Sequence, residues 1–246
     1  METRLRLDQA LVVRGLYQTR SRARDAILRG TVRVDGAIEQ RPGQMVPYAA
    51  VIAVDDPAAA YVSRSALKLA AAMDHFGLSA TSAVALDIGA STGGFTQVLL
   101  ERGASRVYAI DVGHAQLHPR VASDPRVSRL DDTNARDLTP TLVPEPIDAI
   151  VADVSFISLR LALPPALALA APRAWLVGLI KPQFEVGREG VGKGGIVRDQ
   201  ELAHATASAI AEWLAGLPDW TVSGLLPSPI VGGDGNLEYL VGARRD

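Results

Sequence analysis

The first 58 residues carry a spacing of apolar and polar positions that predicts two short helices followed by a β-hairpin. A helical spacing covers residues 7–14 and stops at a glycine. A second helix, capped by Thr19 or Ser21, presents alanines and an isoleucine on one face. The period then changes to that of a strand, up to Asp35-Gly36, a dipeptide that suits a tight hairpin turn. The pattern predicts a small α+β domain.

Beyond this segment, apolar runs alternate with helical spacings. The turn residues and alanines of Asp55 to Ala60 separate the two patterns, so we expect one domain over 1–58 and a second over 59–246. In the second domain, helical spacings such as 96–102 and 201–214 lie between the apolar runs. This alternation predicts a parallel sheet with helices on both faces, a Rossmann-like α/β fold. The predicted strands are 84–88, 107–110, 147–151, 175–180 and 237–241.

Charge is distributed unevenly along the chain. Residues 1–45 contain nine arginines and five acids, a net +4, whereas the remaining 16 basic and 22 acidic residues give −6. A basic head on an acidic body suggests that the head meets a polyanion. The chain has no cysteine, which excludes disulfides, thiolate metal sites and cysteine nucleophiles.

A glycine-rich segment, Leu86-Asp-Ile-Gly-Ala-Ser-Thr-Gly-Gly-Phe95, follows an apolar strand and opens a helix. Glycines placed there allow a backbone to turn tightly beside a ligand, as in nucleotide-binding loops. The segment is not a GxxxxGK[ST] phosphate loop, because no lysine follows, and its spacing departs from GxGxxG. We therefore expect a nucleotide-type ligand of another kind.

Acids and an asparagine after the next two strands extend this predicted ligand site. Asp111 ends the second strand about 20 residues after the glycine loop, where a carboxylate can accept hydrogen bonds from the ribose hydroxyls of an adenosine. Asp131, Asp132 and Asn134 follow the third strand and are candidates for the edge of the adenine.

Charged residues also follow directly after the fourth and fifth apolar runs. Asp153 lies in Val-Ala-Asp-Val-Ser-Phe, and Lys181 lies in Leu-Ile-Lys-Pro-Gln-Phe. Open α/β sheets bind ligands at the carboxyl ends of their strands, so both side chains are candidates for chemistry. Lys68 and Glu238 are weaker candidates when taken alone, since helix lysines and strand-edge glutamates are usually surface residues.

Taken together, these motifs resemble the TlyA/hemolysin-A family of 2′-O-ribose RNA methyltransferases, whose catalytic domain is FtsJ-like. The resemblance covers nearly the whole chain and implies a class I S-adenosylmethionine-dependent fold that modifies cytidines of 16S or 23S ribosomal RNA, or of both. It maps the family's Lys-Asp-Lys-Glu catalytic tetrad onto Lys68, Asp153, Lys181 and Glu238 and implies no metal. The matching stretches are 63–69, 86–96, 133–136, 152–159, 181–187 and 235–239. The S-adenosylmethionine site that it implies comprises Asp87, Gly89, Ala90, Ser91, Thr92, Gly93, Gly94, Phe95, Asp111, Asn134 and Asp153.

The same resemblance identifies the head as an alpha-L RNA-binding motif of the ribosomal-protein type, with the signature SRARDAILRGTVRVDG. Its arginines are then the expected contacts with RNA phosphates. The sequence departs from the family between the domains, where Ala59-Ala60-Tyr61-Val62 stands in place of the expected Arg-x-Trp-Val. The expected RNA-binding residues are Arg4, Arg6, Arg20, Arg22, Arg24, Arg33 and Arg64.

The expected chemistry requires a 2′-hydroxyl to lose its proton, and Lys181 is the candidate base. That role requires a lysine pKa well below the reference of about 10.4. Lys68 would help to lower this pKa, whereas Asp153 and Glu238 would oppose the shift. Orientation of the hydroxyl by a charged Lys181 is therefore an open alternative.

Three other functions compete with this interpretation. A base N-methyltransferase would place an Asn/Asp-Pro-Pro-aromatic motif after the fourth strand, and Asp153-Val-Ser-Phe lacks both prolines. A membrane-active hemolysin is disfavoured because METRLRLD is not a signal peptide and the apolar stretch 161–180 is interrupted by three prolines and Arg173. An RNA-binding protein with an inactive transferase domain is disfavoured by the intact tetrad. We therefore expect a cytoplasmic enzyme that acts on ribosomal RNA or ribosomal subunits and not at a membrane.

Overall fold

The computed structural model describes residues 3–187, 189–233 and 235–246. The chain divides into two compact units, residues 1–59 and residues 60–246. In the part of the chain that the structure describes, no helix is both long and apolar enough to cross a membrane.

The first unit contains the two predicted helices and the predicted hairpin. Thr19 caps the second helix, since its side chain accepts a hydrogen bond from the Arg22 amide. Asp35 and Gly36 both have positive φ angles, which allow the tight turn. Three further short strands were not predicted. The elements are β1 (Arg4–Arg6), α1 (Leu7–Val13), α2 (Arg20–Leu28), β2 (Val32–Val34), β3 (Ala37–Ile38), β4 (Met45–Pro47) and β5 (Ile52–Val54).

Small sheets and a compact apolar core hold this unit together. Strand β1 pairs antiparallel with β4, and β2 lies between β3 and β5. The two helices bury Leu7, Leu11 and Ile27 completely, together with Val32 of the hairpin. Burial of one such side chain contributes about 1.5–3 kcal/mol, so this cluster is what allows so short a unit to fold.

The second unit is the predicted α/β domain. All five predicted strands are present, and Leu161 to Ile180 is indeed helix followed by strand. Two short 3₁₀ turns, Ala135–Asp137 and Pro182–Phe184, follow strand ends. The elements are α3 (Ala66–His75), β6 (Val84–Ile88), α4 (Gly94–Glu101), β7 (Arg106–Ile110), α5 (Pro119–Ala122), β8 (Val127–Leu130), β9 (Ile147–Ala152), α6 (Leu159–Ala162), α7 (Pro164–Ala168), β10 (Ala170–Ile180), α8 (Gln200–Ala215), β11 (Trp220–Pro227) and β12 (Tyr239–Arg245).

The seven strands form one sheet in the order β11-β12-β10-β9-β6-β7-β8. The order reverses between β6 and β9, and this kind of switch point opens a crevice at the carboxyl ends of the strands. One expectation was wrong: β12 runs antiparallel to β10 and β11, so the sheet is mixed and not purely parallel. The physical reason is that β11 and β12 are consecutive strands that pair as a hairpin, and a hairpin can only join antiparallel strands.

Alternate side chains of the central strands point to two separate cores. Leu86, Ile150 and Leu176 lie side by side in register and pack on one face. Val151 and Val177 pack on the other face with Leu69 of α3 and Leu99 of α4, and all of these residues are buried. Because both faces are covered, the central strands appear in the sequence as continuous apolar runs.

Candidate active site

The glycine loop lies between β6 and α4, as predicted. Gly89 has a φ of +80°, and a Cβ at this position would collide with the backbone carbonyl oxygen of Asp153. Only glycine combines that φ with so close an approach. The loop therefore lies directly against the end of β9, which brings the predicted ligand loop and the predicted catalytic aspartate together.

A small cavity of about 100 Å³ lies at this point. Two serines of the segment before α3 line the cavity, and sequence reasoning did not assign them to it. Their hydroxyl oxygens are 3.0 Å apart, and the Ser63-Arg-Ser65 motif beside Lys68 was the available signal. The lining residues are Ser63, Ser65, Gly89, Ala90, Ser91, Thr92, Phe95 and Asp153.

Asp111 joins the end of β7 to the glycine loop. Its Oδ2 accepts a hydrogen bond of 2.8 Å from the Ser91 amide, and its Oδ1 accepts one of 2.7 Å from the Gly113 amide. An ionised carboxylate offers about four acceptor positions, so two are left for a ligand. The arrangement fits the predicted recognition of a ribose.

Asp87 has a supporting position beneath the loop. The residue is completely buried, and one carboxylate oxygen accepts a 2.6 Å hydrogen bond from the Thr96 hydroxyl. Among the described residues, its other oxygen has no hydrogen-bond partner. Burial raises the pKa of Asp87 to about 7, and the nearby Asp153 and Asp111 charges add to this rise although the Thr96 hydroxyl opposes it. Direct contact of Asp87 with a cofactor stays a prediction.

Asn134 and Asp132 lie on the other side of the loop, after β8. The Asn134 side chain caps the 3₁₀ turn by accepting a 3.0 Å hydrogen bond from the Arg136 amide. Asp132 pairs with His114 at 2.8 Å, and both side chains are exposed. This pair raises the pKa of His114, chiefly through the hydrogen bond. Recognition of adenine by Asn134 stays a prediction.

The four residues of the proposed tetrad form two ion pairs. Lys68 of α3 pairs with Glu238 through Oε2, and both side chains are almost fully buried. Lys181 lies with its Nζ 2.6 Å from Oδ1 of Asp153. Burying any of these charges without a partner would strongly destabilise the fold. Each ion pair therefore compensates the cost of burying its two charges.

Strand register explains why the two pairs are neighbours. Ile180 of β10 is paired with Tyr239 of β12, so the next position along places Lys181 opposite Glu238. On its other side, β10 lies beside β9, whose last residue directly precedes Asp153. Charged residues that are far apart in sequence thus meet at one edge of the sheet.

Two loops beside Lys181 are tied together by residues that sequence reasoning did not single out. Lys181 donates a 2.9 Å hydrogen bond to the Ser155 hydroxyl. Glu185 accepts hydrogen bonds from the Ser158 hydroxyl at 2.6 Å and from the Leu159 amide at 2.8 Å. Burial raises the pKa of Glu185, although these hydrogen bonds oppose the rise. The loops after β9 and β10 therefore form one fixed wall.

Phe156 projects from this wall into solvent. Its exposed fraction is 90%, its φ is +64°, and its ring lies 4.9 Å from the ring of Phe184. A bulky residue with positive φ is uncommon, and such strain is concentrated at functional sites. Its position three residues after Asp153 was the signal available in the sequence.

The predicted RNA-binding arginines have distinct settings in the first unit. Arg4 donates to the Met45 carbonyl at 3.1 Å, and Arg33 donates to the Gly36 carbonyl at 3.2 Å. Arg24 is exposed on α2. Three further arginines bond within the unit: Arg6 and Arg20 to Asp8, and Arg22 to the Ala58 carbonyl.

Arg64 is the predicted RNA contact in the second unit. It lies directly between the two cavity serines in sequence and is half-buried. In the described parts of the chain, no group of three or more His, Cys, Asp or Glu side chains is arranged to hold a metal ion.

The sheet order, the glycine loop after β6 and the acid after β7 define a Rossmann-like methyltransferase domain. An O-methyltransferase from Bacillus cereus solved in complex with SAH shares this fold, with a TM-score of 0.51 and 18% identity over 75% of this chain and 82% of that one. Residues 61–245 match the model of the FtsJ-like methyltransferase family, and residues 5–48 match the S4 domain. The chain belongs to the FtsJ-like methyltransferases and, by the similarities that follow, to their TlyA group.

Relatives of known name resemble the chain along almost its whole length. The 16S/23S rRNA (cytidine-2′-O)-methyltransferase TlyA of Mycobacterium tuberculosis is 44% identical over 99% of this chain and 91% of the relative. Hemolysin A of Brachyspira hyodysenteriae is 40% identical over 96% of this chain and 98% of the relative. A solved structure of a candidate hemolysin from Streptococcus thermophilus has a TM-score of 0.75 and 35% identity, and covers 100% of this chain and 90% of that one.

Proposed function

We propose that this chain methylates a ribose 2′-hydroxyl of a cytidine in ribosomal RNA, with S-adenosylmethionine as the methyl donor. Membership of the FtsJ-like family and the names of relatives from two organisms, Mycobacterium tuberculosis and Campylobacter jejuni, support this reaction. The observation that carries it is the ion pair of Lys181 and Asp153 beside the glycine loop. It supports the proposal because a charged donor and a charged acceptor lie together beside the loop to which we assign the methyl donor.

The residues around the glycine loop fit S-adenosylmethionine. The Ser63 and Ser65 hydroxyls and the loop backbone line a cavity of a size and polarity suited to the amino-acid end of the cofactor. Asp111, held by two backbone amides, has acceptor positions left for both ribose hydroxyls. When bound, the cofactor supplies an electrophilic methyl group on a sulfonium.

Lys181 and Asp153 then act on the acceptor. A lysine ammonium has three N–H groups, and in Lys181 one of them donates to the Ser155 hydroxyl. Nζ also lies 2.6 Å from Oδ1 of Asp153, an ion pair in which this oxygen accepts no hydrogen bond among the described residues. A remaining N–H group can donate to the 2′-oxygen and stabilise the negative charge that develops on it as the hydroxyl proton leaves towards the Asp153 carboxylate. This arrangement favours the orienting role of Lys181 over its role as a neutral base. Fixing the hydroxyl in line with the methyl group can supply about 7–11 kcal/mol of the barrier.

Lys68 and Glu238 act as the support of this pair. Their ion pair is almost fully buried and links α3 to Glu238, the residue directly before β12, which lies opposite Lys181. A side chain fixed by buried charges loses little freedom when substrate binds, which is what preorganised catalysis requires. Removal of either partner would leave an unpaired buried charge, so both are expected to matter for folding as well as for rate.

Phe156 provides a platform for the nucleotide that presents the hydroxyl. Every base has an aromatic face, and stacking on an aromatic side chain contributes about 1–3 kcal/mol per base. The exposed ring stands three residues after Asp153 and rests on Phe184. A base stacked there would bring its own ribose, or that of its neighbour, to the Lys181–Asp153 pair.

The arginine-rich first unit supplies the RNA contacts that are independent of sequence. Residues 5–48 match the S4 domain, and the net charge of the first 45 residues is positive. Phosphate contacts fix register and orientation while the catalytic unit reads the acceptor. A ribosomal RNA substrate would place the enzyme in the cytoplasm.

Methyl transfer to separated ribosomal subunits tests this function. Purified small and large subunits are incubated with the full chain and S-adenosylmethionine carrying a labelled methyl group. We expect label in the RNA of at least one subunit, and no label with Asp153→Asn. The matched control, Asp148→Asn, changes an acid near the start of β9, at the opposite end of the strand from Asp153, and should stay active. A protein that binds S-adenosylmethionine but labels neither RNA would refute the proposal.

A further inference from the structure

The first unit contains a buried carboxylate that binds two partly exposed arginines. Asp8 is 3% exposed, whereas the side chains of Arg6 and Arg20 are 44% and 55% exposed. A buried acid is normally paired with a buried base or with backbone amides. Here the partners are guanidinium groups that still face the solvent.

The hydrogen bonds fix the orientation of both guanidinium groups. Arg6 donates through Nε and Nη2, each at 3.1 Å, to the two oxygens of Asp8. Arg20 donates through Nη2 to Oδ2 at 2.9 Å. A guanidinium has five N–H groups, so Arg6 retains three and Arg20 retains four for another acceptor. Two planar donors are thus held side by side around one carboxylate.

The turn that follows β3 supports the same arrangement from a second side. Asp8 and Leu7 donate backbone hydrogen bonds to the Pro42 and Gln44 carbonyls, at 3.1 and 2.8 Å. A Cβ added to Gly43 would lie 3.3 Å from Nη1 of Arg6, which shows that the guanidinium rests on the bare backbone of that glycine. This contact is independent of the Asp8 hydrogen bonds.

An open groove begins where Arg6 meets Gly43. Two more arginines line it, one from β1 and one from the turn, so guanidinium groups continue along the surface from the Asp8 cluster. The arginine of the turn, Arg41, is itself oriented by an ion pair with Glu39. The lining residues are Arg4, Arg41, Gly43, Gln44 and Met45. A row of guanidinium groups of this kind is suited to a phosphodiester backbone.

We propose that Asp8 is a positioning residue that holds Arg6 and Arg20 as a joint clamp for an RNA phosphate. The inference rests on the proposed function, since it takes ribosomal RNA as the ligand. A free arginine side chain must give up rotamer freedom when it binds a phosphate, whereas these two side chains are already ordered. The Asp8 carboxylate thereby strengthens anion binding even though it carries a negative charge.

Removal of the Asp8 charge therefore distinguishes a positioning role from a purely electrostatic one, because the two predict opposite changes in RNA affinity. Asp8→Asn removes one negative charge from an RNA-binding unit, so charge alone predicts tighter binding. Positioning predicts weaker binding, because the two arginines lose their fixed orientation. Immobilisation of one such side chain is worth about 0.5–1.5 kcal/mol, and two are worth about 1–3 kcal/mol, so we expect the Kd for deproteinised ribosomal RNA to rise about 5- to 150-fold.

Two further variants separate this effect from damage to the fold. Asp55→Asn removes the same charge from an exposed acid of the same unit and should leave RNA binding equal or tighter. Gly43→Ala keeps Asp8 and requires Nη1 of Arg6 to move by only a few tenths of an ångström, so it should weaken binding much less than Asp8→Asn does. Circular dichroism spectra and S-adenosylmethionine affinity of all variants should match the unchanged protein, whereas Asp8→Asn should unfold at a somewhat lower temperature because it loses two ion pairs.

A double-mutant cycle assigns the effect to the two arginines. In a protein that already carries Arg6→Ala and Arg20→Ala, adding Asp8→Asn should cause no further loss of affinity. The inference would be overturned if Asp8→Asn bound ribosomal RNA as tightly as the unchanged chain. It would also be overturned if Asp8→Asn lowered the RNA affinity just as much in the protein that lacks Arg6 and Arg20. If the unchanged protein neither binds nor methylates ribosomal RNA, the proposed function itself has failed, which is a different result.

Discussion

Nζ of Lys181 lies 2.6 Å from Oδ1 of Asp153. The two residues come from the ends of adjacent parallel strands, and Lys181 also donates to the Ser155 hydroxyl. These two contacts hold the ammonium group of Lys181 at the ends of the two strands. The same residue lies against the glycine loop, since the Asp153 backbone approaches Gly89 closely and Asp153 lines the cavity with the loop. Asp153 therefore connects the proposed site of the acceptor hydroxyl with the proposed site of the methyl donor.

Lys181→Ala should abolish methylation and leave S-adenosylmethionine affinity roughly unchanged. The lysine is assigned to the acceptor hydroxyl, so its loss removes orientation of the oxygen without touching the cofactor loop. Labelled methyl transfer and calorimetry measure the two quantities on the same preparation. Lys193→Ala, which changes an exposed lysine, should stay active. Full activity of Lys181→Ala would move the role to another residue.

Asp111→Ala should weaken S-adenosylmethionine binding by about 1.5–3 kcal/mol, the value of a charge-assisted hydrogen bond. The loss also frees the Ser91 and Gly113 amides that now bond to this carboxylate. Calorimetric titration gives the change directly, and Asp74→Ala, an exposed acid paired with Arg102, serves as the control. An unchanged Kd for Asp111→Ala would remove this residue from the site.

Asp87→Asn should make the free energy of unfolding less dependent on pH. Burial raises the pKa of Asp87 from 3.8 to about 7, so the folded state binds a proton that the unfolded state releases. The penalty for burial is absent below about pH 4 and grows as pH rises to about 7. One pKa unit corresponds to about 1.36 kcal/mol, so as pH rises the free energy of unfolding of the unchanged protein should fall by up to about 4 kcal/mol relative to that of the variant. Urea unfolding of both proteins from pH 5 to 8 measures the difference, and parallel curves would contradict it.

Phe156→Asn should lower the rate of RNA methylation about 5- to 150-fold, the equivalent of about 1–3 kcal/mol of base stacking. The free energy of unfolding should be unchanged or higher, because asparagine tolerates a φ of +64° better than phenylalanine does. S-adenosylmethionine affinity should not change. Leu161→Asn, at another exposed apolar residue of the same unit, controls for loss of surface hydrophobicity. Unchanged kcat and KM in Phe156→Asn would show that no base stacks on Phe156.

Much of the fold could be predicted because the signals are local. The central strands are buried on both faces and therefore appear as continuous apolar runs, and Val84–Ile88 begins and ends where predicted. Strand direction was harder to predict: the period of residues 237–241 is the same in a parallel and an antiparallel strand. Only the hairpin from β11 decides that β12 runs against its neighbours. Short strands such as Met45–Pro47 have too few residues to show a period.

Site residues could be predicted where a sequence motif contains them. They were harder to predict where only tertiary contacts bring them into the site. The sequence placed Asp153 and Lys181 at strand ends, but their direct pairing depends on how β9 and β10 lie side by side. Ser63 and Ser65 could not be assigned from spacing, since they reach the cavity from a segment that precedes the sheet. Likewise, Arg6 and Arg20 are 14 positions apart, and only folding shows that both bind one carboxylate.

The position of the transferred methyl group tests the central claim most directly. Ribosomal RNA labelled by the enzyme is hydrolysed in alkali, which uses each 2′-hydroxyl to cleave the adjacent phosphodiester. A 2′-O-methyl blocks that cleavage, so we predict that the label is recovered in an alkali-resistant dinucleotide that contains cytidine. Recovery of the label as a methylated base in mononucleotides would contradict 2′-O-methylation and the role assigned to Lys181 and Asp153.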